Sequence, residues 1–437
     1  MRVLGLDIGT SSVKAAILNV ADAQPAGPII RESYDLDFPT PEAAEVPAER
    51  LWQTVTATAR KATRGAEGVQ GVGLTCMTPA LVLLDAADRP LRPIWTHLDR
   101  RSRPAARQVE AAVGAEVLAT TGNRPLPGGM SAICLRQLLT DDPYLIRDIR
   151  HYLHVNGWLA LRLTGERAFD PANACFTGLF GTLTDQQWSA RWCRFFEVDP
   201  AWLPPVLGGD ATVGALRSAA AAELGVPAGL PVKLGTADTS SAMLAVGMGQ
   251  GDLLHAVGTT QVLAAIVAAP RPAPRRLTRL LGVGPAFVHV THNPVGGVAL
   301  DWLRELCFRD QPATEFYERT VPQALERRTT VVLDPPYLGG DRLEIEAHRA
   351  AFRNLTVAAD RLDLLAALLQ EMRRQHAWAL AALGAGESFR RVFVTGGGAE
   401  VIHRLIPPYA GATTHFLERA SLRGVARLFR EAGTPTG

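Results

Sequence analysis

The chain opens with three runs of apolar and β-branched residues, separated by short stretches that contain glycine or polar side chains. The runs cover residues 3–8, 12–19 and 29–38, and the last alternates apolar and polar positions. Alternation with a period of two is typical of a strand that buries one face. The pattern therefore predicts a meander of three strands that opens a sheet.

The hydrophobic period then changes to that of a helix. From about Pro47, apolar side chains such as Leu51 and Val55 recur on one helical face, and strand-like runs return at residues 69–74 and 80–84. Strands that alternate with helices are the pattern of an α/β protein. Residues 100–230 are mostly helical in pattern, with helices predicted at 103–113, 132–139 and 156–163.

The second half begins again with strands. A short buried strand is predicted at residues 232–235, followed by a helix at 239–246 and a glycine-rich stretch at 247–251 that favours a domain boundary. Beyond it, the pattern predicts strands at 253–257, 261–267 and 391–395, and helices near 296–308, 313–326 and 360–383. We therefore predict two domains, residues 1–246 and 247–437.

An internal repeat connects the two halves. Residues 8–17 read IGTSSVKAAI and residues 257–266 read VGTTQVLAAI, so six of ten positions are identical at a separation of 249 residues. That separation is too long for a solenoid repeat. The repeat instead predicts two domains of related architecture, whose matching hairpins face each other across a cleft.

Each copy of the repeat has the composition of a phosphate-binding turn. A glycine permits a sharp turn and close approach of a ligand, hydroxyl side chains follow it, and outward N–H groups with hydroxyls cradle phosphate oxygens. The candidate residues are Gly9, Thr10 and Ser11 in the first copy, and Gly258, Thr259 and Thr260 in the second. Ordinary turn chemistry is the alternative for either copy alone.

Asp7 ends the first predicted strand beside its turn. A carboxylate next to phosphates repels them unless a cation lies between, and Mg²⁺ held directly or through water resolves this. The alternative is an aspartate that caps its own turn. Asp238 lies between a predicted strand and helix, where it could accept the proton of an attacking hydroxyl or, alternatively, cap the helix.

A glycine turn near the end of the chain is a third candidate. Residues 392–400 read VFVTGGGAE, a buried strand that runs into Gly396, Gly397 and Gly398 and then a helix. Such a turn lets a flat ring lie against bare backbone or a phosphate meet a helix N-terminus. Its spacing lacks the G-x-G-x-x-G of a dinucleotide site.

Charge argues against nucleic acid and membrane partners. Forty-five Lys and Arg against 43 Asp and Glu give a net charge of +2 over 437 residues. Binding to nucleic acid or an anionic membrane would then need a clustered basic patch. The densest basic stretch, residues 271–279, has arginines among prolines and is predicted to be an exposed turn.

The sequence also predicts a soluble, cytoplasmic protein. Five scattered cysteines without a C-x-x-C pair indicate reduced thiols. The longest clean apolar run, residues 262–269, has eight residues, whereas a membrane span needs about 20. The N-terminus lacks the pattern of a signal peptide.

Together these motifs resemble the FGGY family of carbohydrate kinases over nearly the whole chain. Asp7 to Ser11 is similar to the family's first phosphate hairpin, Gly258 to Thr260 to its second, Gly396 to Ala399 to its adenosine turn, and Asp238 to its catalytic aspartate. The resemblance implies an α/β fold of two ribonuclease H-like domains around a central cleft, as in the actin-like ATPases. It also implies that Gly396, Gly397, Gly398 and Ala399 bind the nucleotide.

The sequence departs from the family pattern at the sugar site. Xylulokinase-like members read G-Q-M-H-G and later W-x-D-x-R there; this chain has residues 75–79 as TCMTP, and Trp95 with Asp99 and Arg100. Residues 339–344, GGDRLE, stand where relatives have S-G-E-R-T-P. By resemblance, the substrate-binding residues are Met77, Thr78, Trp95, Asp99, Asp238 and Thr239. Because Cys76, Thr78 and Thr239 offer fewer donors and acceptors than their family counterparts, a different or larger polyol is expected.

The implied reaction is transfer of the γ-phosphate of ATP, with Mg²⁺ at Asp7, to a hydroxyl of a ketose or polyol. Xylulose-like substrates are expected first, and Asp238 is expected to act as the general base. Two alternatives remain open: a sugar-binding sensor on the same fold, and an actin-like or Hsp70-like ATPase without a sugar. Association into a homodimer is also left open.

Overall fold

The computed structural model describes residues 1–258, 260–386 and 388–430. The strands of the first half are β1 (Arg2–Ile8), β2 (Ser12–Asn19), β3 (Ile30–Ser33), β4 (Glu45–Val46), β5 (Val69–Cys76), β6 (Ala80–Leu84), β7 (Ile94–Thr96), β8 (His151–His154), β9 (Thr212–Ala215) and β10 (Pro231–Ala237). Its helices are α1 (Ala48–Ala62), α2 (Arg103–Thr121), α3 (Ser131–Asp141), α4 (Val155–Thr164), α5 (Pro171–Ala174), α6 (Ala190–Phe195), α7 (Ser218–Leu224) and α8 (Asp238–Ala245).

The second half has a similar mixture. Its strands are β11 (Asp252–Val257), β12 (Gln261–Val267), β13 (Leu277–Leu280), β14 (Phe287–Asn293), β15 (Val332–Leu333), β16 (Phe352–Arg353), β17 (Arg391–Thr395) and β18 (Thr413–Leu417). Its helices are α9 (Gly297–Cys307), α10 (Ala313–Glu315), α11 (Val321–Glu326), α12 (Arg361–Leu383), α13 (Ala399–Leu405) and α14 (Ala420–Arg427).

Each half is built around a six-stranded sheet. The strand orders are β3-β2-β1-β5-β10-β9 and β13-β14-β12-β11-β17-β18. In each sheet the strand before the repeated motif, β1 or β11, pairs antiparallel with the next strand and parallel with a later one, β5 or β17. The repeat in sequence is thus a repeat in structure, and the predicted α/β class is confirmed. The predicted division after residue 246 falls between the two sheets and stays a prediction.

The third strand is much shorter than predicted. The alternating run at residues 29–38 forms a strand only over Ile30–Ser33. Ser33 pairs with Ser12, the first residue of β2, so the partner strand ends there. Beyond that point the Tyr34 hydroxyl turns inward and donates a hydrogen bond of 2.5 Å to the carbonyl oxygen of Gly9.

The predicted exposed turn at residues 271–279 is wrong in its last part. Residues from Leu277 onward form the edge strand β13, and Arg279 is only 1% exposed. The cause is a contact with the first half, because the Asn123 side-chain amide donates to the carbonyl oxygen of Thr278 at 2.9 Å. The arginines and prolines of residues 271–279 form no pattern that predicts this contact.

Helix α2 runs further than its predicted end at residue 113. Gly114 lies inside the helix and does not break it, and the helix ends at Gly122, whose φ of +80° is left-handed. Left-handed backbone of this kind is the usual place for a terminating glycine. The predicted helix is therefore eight residues too short at its C-terminal end.

Two further expectations concern cysteines and membrane spans. All five cysteines are free, as the scattered positions predicted. In the part of the chain that the structure describes, no helix combines the length and the apolar composition that crossing a bilayer requires.

The last helix joins the second half to the first sheet. Helix α14 follows β18 of the second sheet, but Val425 and the nearby Phe429 pack on glycines of β5. A Cβ built on Gly73 would lie 2.5 Å from Val425 Cγ1, and one built on Gly71 would lie 2.5 Å from the Phe429 ring. These glycines make the space in which α14 closes over the sheet.

We predict that Gly73→Ala destabilises the protein by about 1–3 kcal/mol, because the added methyl group overpacks the contact with Val425. The measurement is the free energy of unfolding in urea, followed by tryptophan fluorescence. Gly27→Ala is the matched control, since a Cβ there meets no atom within 4 Å among the described residues. Equal unfolding free energies for the two variants would contradict this packing.

Candidate functional site

A cleft between the two six-stranded sheets contains two adjoining cavities. The outer cavity has a volume of about 640 Å³ and is lined from both halves, by Lys14 of β2, Gly258 after β11, Gly396 and Gly397 after β17, and Ser421 of α14. The structure therefore brings the two repeated hairpins and the glycine turn to one site, as the repeat in sequence predicts.

The β1–β2 hairpin places a carboxylate and a cation at the base of the outer cavity. Asp7 is 2% exposed and accepts hydrogen bonds from Lys14 Nζ at 3.1 Å and from Ser421 Oγ at 2.8 Å. Both of these donors line the outer cavity. Asp7 thus connects the first hairpin to the last helix.

The tip of this hairpin closes on itself. The Gly9 amide donates to the carbonyl oxygen of Ser12 at 3.0 Å. Thr10 and Ser11 stand at the tip and are outside the set of residues that line the outer cavity. The structure therefore brings Lys14, rather than the two predicted hydroxyls, to the cavity wall.

The second hairpin faces the outer cavity directly. Gly258 and Thr260 both line it, and the Gly258 amide donates to the Thr260 carbonyl at 2.9 Å. The Gly297 amide, at the start of α9, donates to the Gly258 carbonyl at 3.1 Å and braces the turn. Thr259, which the sequence analysis also selected, lies outside the described residues.

The glycine turn after β17 forms another part of the wall. Gly396 has a φ of +113°, and a Cβ there would lie 1.9 Å from the Val257 carbonyl oxygen, so only glycine fits. A Cβ on Gly397 would meet nothing within 4 Å among the described residues, which leaves bare backbone toward the cavity. Gly398 and Ala399 continue into α13 and are not part of the lining.

The inner cavity lies deeper in the cleft and has a volume of about 160 Å³. Four residues line both cavities and so mark their junction: Asp238, Thr239, Val262 and Arg342. Asp238 is the first residue of α8, and its Oδ1 accepts the Thr239 amide at 2.6 Å. A carboxylate at this junction can reach groups bound on either side.

Burial raises the pKa of the Asp238 carboxyl above its ordinary value, and the negative charge of Asp7 raises it further. The Thr239 amide and the positive charges of Arg279 and Lys14 act in the opposite direction. A carboxylate with a raised pKa is a stronger base than an exposed one. The site therefore suits Asp238 for accepting a proton.

The inner cavity brings together basic side chains that sequence reasoning did not select. Its wall includes Arg279, Arg100 and Arg342 with the imidazoles of His97 and His292. They come from four segments of both halves, so no single local motif could have revealed the group. Two of them had a sequence signal: Arg342 in the segment that resembles S-G-E-R-T-P, and Arg100 in the segment that approximates W-x-D-x-R.

The structure divides the predicted sugar-site residues into two groups. Thr78 and Thr239 line the inner cavity, and Thr78 Oγ1 donates to Asn173 Oδ1 at 2.6 Å. Met77, Trp95 and Asp99 are buried and lie outside the lining. The predicted group is thus brought together only in part.

Asp99 and Trp95 have structural partners instead. The Asp99 carboxylate is fully buried and accepts the Ala44 amide at 2.9 Å and the Arg101 guanidinium at 2.7 Å. The same guanidinium lies 3.9 Å from the centre of the Trp95 ring. These contacts occupy both carboxylate oxygens of Asp99 and one face of the Trp95 ring.

No group of three or more His, Cys, Asp or Glu side chains that could hold a metal ion occurs in the segments described by the structure.

Comparison with known proteins supports the resemblance. The sequence matches the N-terminal domain of the FGGY family of carbohydrate kinases over residues 2–245. It is 29% identical to the xylulose kinase of Escherichia coli (strain K12) over 267 residues, 60% of this chain and 54% of that protein. It is 29% identical to the L-xylulose/3-keto-L-gulonate kinase of Escherichia coli (strain K12) over 315 residues, 68% of this chain and 61% of that protein.

The chain thus spans between about half and two thirds of the length of these two curated relatives. The crystal structure of a xylulose kinase from Rhodospirillum rubrum superposes with a TM-score of 0.84 at 24% identity, covering 98% of this chain and 89% of that one. This likeness shows the two-domain, actin-like ATPase fold. Since the family model matches more than half of its length, the chain belongs to the FGGY family of carbohydrate kinases.

Proposed function

We propose that the chain is an ATP-dependent carbohydrate kinase that phosphorylates a hydroxyl of a sugar or polyol. The observation that carries this proposal is the position of Asp238 at the junction of the two cavities. An acceptor hydroxyl in the inner cavity and a phosphate in the outer one would meet beside this carboxylate. Family membership supports the same reaction class.

The outer cavity fits a nucleotide by its shape and its donors. Bare backbone at Gly397 suits a flat ring, and Gly258 and Thr260 offer a tight turn to phosphates. Lys14 supplies a positive charge on the opposite wall. ATP bound there would supply the phosphoryl group that is transferred.

Magnesium would be held near Asp7. The Asp7 carboxylate is in contact with Lys14 and Ser421, which both line the outer cavity, so it would be near a cation bound to the phosphates. Charge neutralisation of the phosphates is what a divalent ion supplies in phosphoryl transfer. Asp7 would orient that ion through water.

The proposed role of Asp238 is to accept the proton of the attacking hydroxyl. Its fixed position at the start of α8, held by the Thr239 amide, presents a carboxylate oxygen to the inner cavity. Phosphoryl transfer depends mostly on positioning and charge stabilisation. Walls contributed by both halves of the chain would exclude water from the reacting groups.

We predict that Asp238→Asn lowers kcat by roughly two to four orders of magnitude, because the amide cannot accept the proton. ADP release over a panel of ketoses and polyols measures turnover, and calorimetric titration with ADP shows whether nucleotide binding is retained. Asp35→Asn, at an exposed position, is the matched control. Near-normal turnover of the Asp238 variant would refute its role.

The same assay separates the two alternatives from the proposal. A sugar-binding sensor would bind a sugar without releasing ADP. An actin-like or Hsp70-like ATPase would release ADP at the same rate with and without a sugar.

We predict that kcat/KM falls at acidic pH as Asp238 becomes protonated, and that Asp7→Asn moves this fall to lower pH. Removing the negative charge of Asp7 removes one cause of the raised pKa of Asp238, so the base stays ionised in more acidic solution. The measurement is the pH profile of kcat/KM at saturating Mg²⁺, whatever the absolute loss of rate. An unmoved profile, or one moved to higher pH, would contradict the electrostatic coupling of the two carboxylates.

A further inference from the structure

The inner cavity carries more positive charge than a neutral sugar needs. Three guanidinium groups line it, those of Arg100, Arg279 and Arg342, against a single carboxylate, that of Asp238. The net charge available to a ligand depends on which of these arginines has a carboxylate partner within the chain.

Arg100 has a partner of its own. Its Nε lies 3.6 Å from Asp341 Oδ1, and its Nη1 donates to the carbonyl oxygens of His97 and Pro127 at 2.8 and 2.9 Å. Asp341 in turn accepts Arg103 at 2.8 Å on its other oxygen. Since Arg103 also pairs with Glu42 at 3.1 Å, two carboxylates balance these two arginines, and Arg100 is held by the protein.

Arg279 is buried without a carboxylate in contact. It is 1% exposed and donates to Thr239 Oγ1 at 2.9 Å, to the hydroxyl of Ser240 and to its neighbouring carbonyl. No Asp or Glu oxygen lies within 4.0 Å of it in the described part of the chain. The negative charge of Asp170 acts to raise the pKa of Arg279, but Asp170 does not line the cavity.

The oxygens of Asp170 are already occupied. They accept hydrogen bonds from the side chains of Asn156, Asn173 and Thr236, at 2.6, 2.6 and 2.9 Å. Asp170 therefore acts on Arg279 only through its charge and forms no ion pair with the guanidinium group.

Arg342 has neither an ion pair nor a hydrogen bond with the described residues, although burial lowers its pKa to about 10. It lines both cavities beside Asp238. Arg342 is half-buried, and none of its nitrogen atoms is among the buried atoms that lack a partner, so its guanidinium group is accessible from the cavities. An arginine fork of this kind, unoccupied by the protein, can pair with a carboxylate or a phosphate. Arg342 is therefore placed to bind something that enters the cleft.

The two histidines of the cavity lining add no positive charge to that of the arginines. Burial and the positive charges of Arg342 and Arg100 lower the pKa of both His97 and His292, so the imidazoles are neutral near pH 7. The Nδ1 atom of each is buried and has no partner among the described residues. Both imidazoles therefore contribute neutral rings to the cavity wall, with their Nδ1 atoms turned away from the accessible space.

We propose that the acceptor substrate is a monoanionic sugar derivative, an aldonic or keto-aldonic acid, whose carboxylate binds Arg279 and Arg342 while a hydroxyl faces Asp238. This inference rests on the proposed kinase function. Among the groups that line the inner cavity, Arg279 and Arg342 lack an ion-pair partner and face one carboxylate, which leaves one positive charge for a monoanion to balance. Arginine forks pair with carboxylates through two parallel hydrogen bonds, which a neutral hydroxyl cannot reproduce.

The first experiment compares acids with their neutral counterparts. ADP release is measured with gluconate against glucitol, xylonate against xylitol, and xylulose and glucose 6-phosphate as further probes. We expect kcat/KM for an acid to exceed that of its neutral partner at least tenfold. Preference for glucitol, xylitol or xylulose would overturn the inference and leave the kinase function standing, and preference for the sugar phosphate would also overturn it.

The second experiment removes each charge in turn. Arg342→Gln and Arg279→Gln should each raise KM for the acid roughly 10- to 100-fold, the loss expected for a charged hydrogen bond. The KM for the neutral partner should change less than threefold, and Arg342→Lys should recover part of the loss. Arg349→Gln, an exposed arginine in the same segment, is the matched control.

If Arg342 instead binds the phosphates of ATP, the second experiment gives a different result. Its removal would then raise KM for ATP and affect acid and neutral substrates equally, which would overturn the assignment.

Binding distinguishes failure of this inference from failure of the proposed function. Calorimetric titration of gluconate and xylonate is carried out with ADP present. Binding that weakens in both Arg→Gln variants, without ADP release from ATP, would support the anionic ligand and overturn the kinase. Absence of binding by either acid would overturn the inference itself.

Discussion

A carboxylate inside a cleft must be balanced by positive charge or hydrogen bonds, and this requirement organises the whole site. Asp238 faces the cleft from the end of β10, whereas Asp7 is buried near the end of β1. Burial raises the pKa of Asp238, and the negative charge of Asp7 raises it further. Lys14 and Ser421 hold Asp7, while Arg279 opposes the shift at Asp238. The arrangement keeps one carboxylate firmly paired and leaves the other as a stronger base.

Polar contacts connect the two halves of the chain around this pair of carboxylates. Ser421 of the last helix bonds Asp7, and Arg103 of α2 bonds Asp341 in the second half at 2.8 Å. Apolar packing adds to these polar contacts, because Val425 and Phe429 lie on the glycines of β5. The last helix thus fixes the second half against the first sheet, beside an inner cavity whose walls come from both halves.

The sequence predicted the framework well because the framework is local. Strand periodicity placed β1 and β2, the repeat predicted matching hairpins, and the glycine run predicted the turn at Gly396. Asp238 was found because it follows a recognisable strand. The prediction failed where long-range contacts determine the local structure. At β13, for example, Asn123 from the first half donates to the backbone of the strand that contains Arg279.

The lining of the inner cavity could not be predicted for the same reason. His97, Arg279, His292 and Arg342 come from four separate segments, and only the fold makes them neighbours. Conversely, Asp99 and Trp95 resembled part of a sugar-binding motif. In the structure, Arg101 donates to the Asp99 carboxylate and lies over the Trp95 ring. A motif specifies which residue types are present, whereas the fold decides which of their atoms remain free.

The central claim is that Asp238 lies between a bound acceptor and the phosphates of a nucleotide. The most direct measurement is a crystal structure with a non-hydrolysable ATP analogue and an acceptor substrate bound together. We expect the triphosphate in the outer cavity and an acceptor hydroxyl about 2.6–3.2 Å from an Asp238 carboxylate oxygen. A nucleotide bound elsewhere, or an acceptor outside the reach of Asp238, would contradict the account.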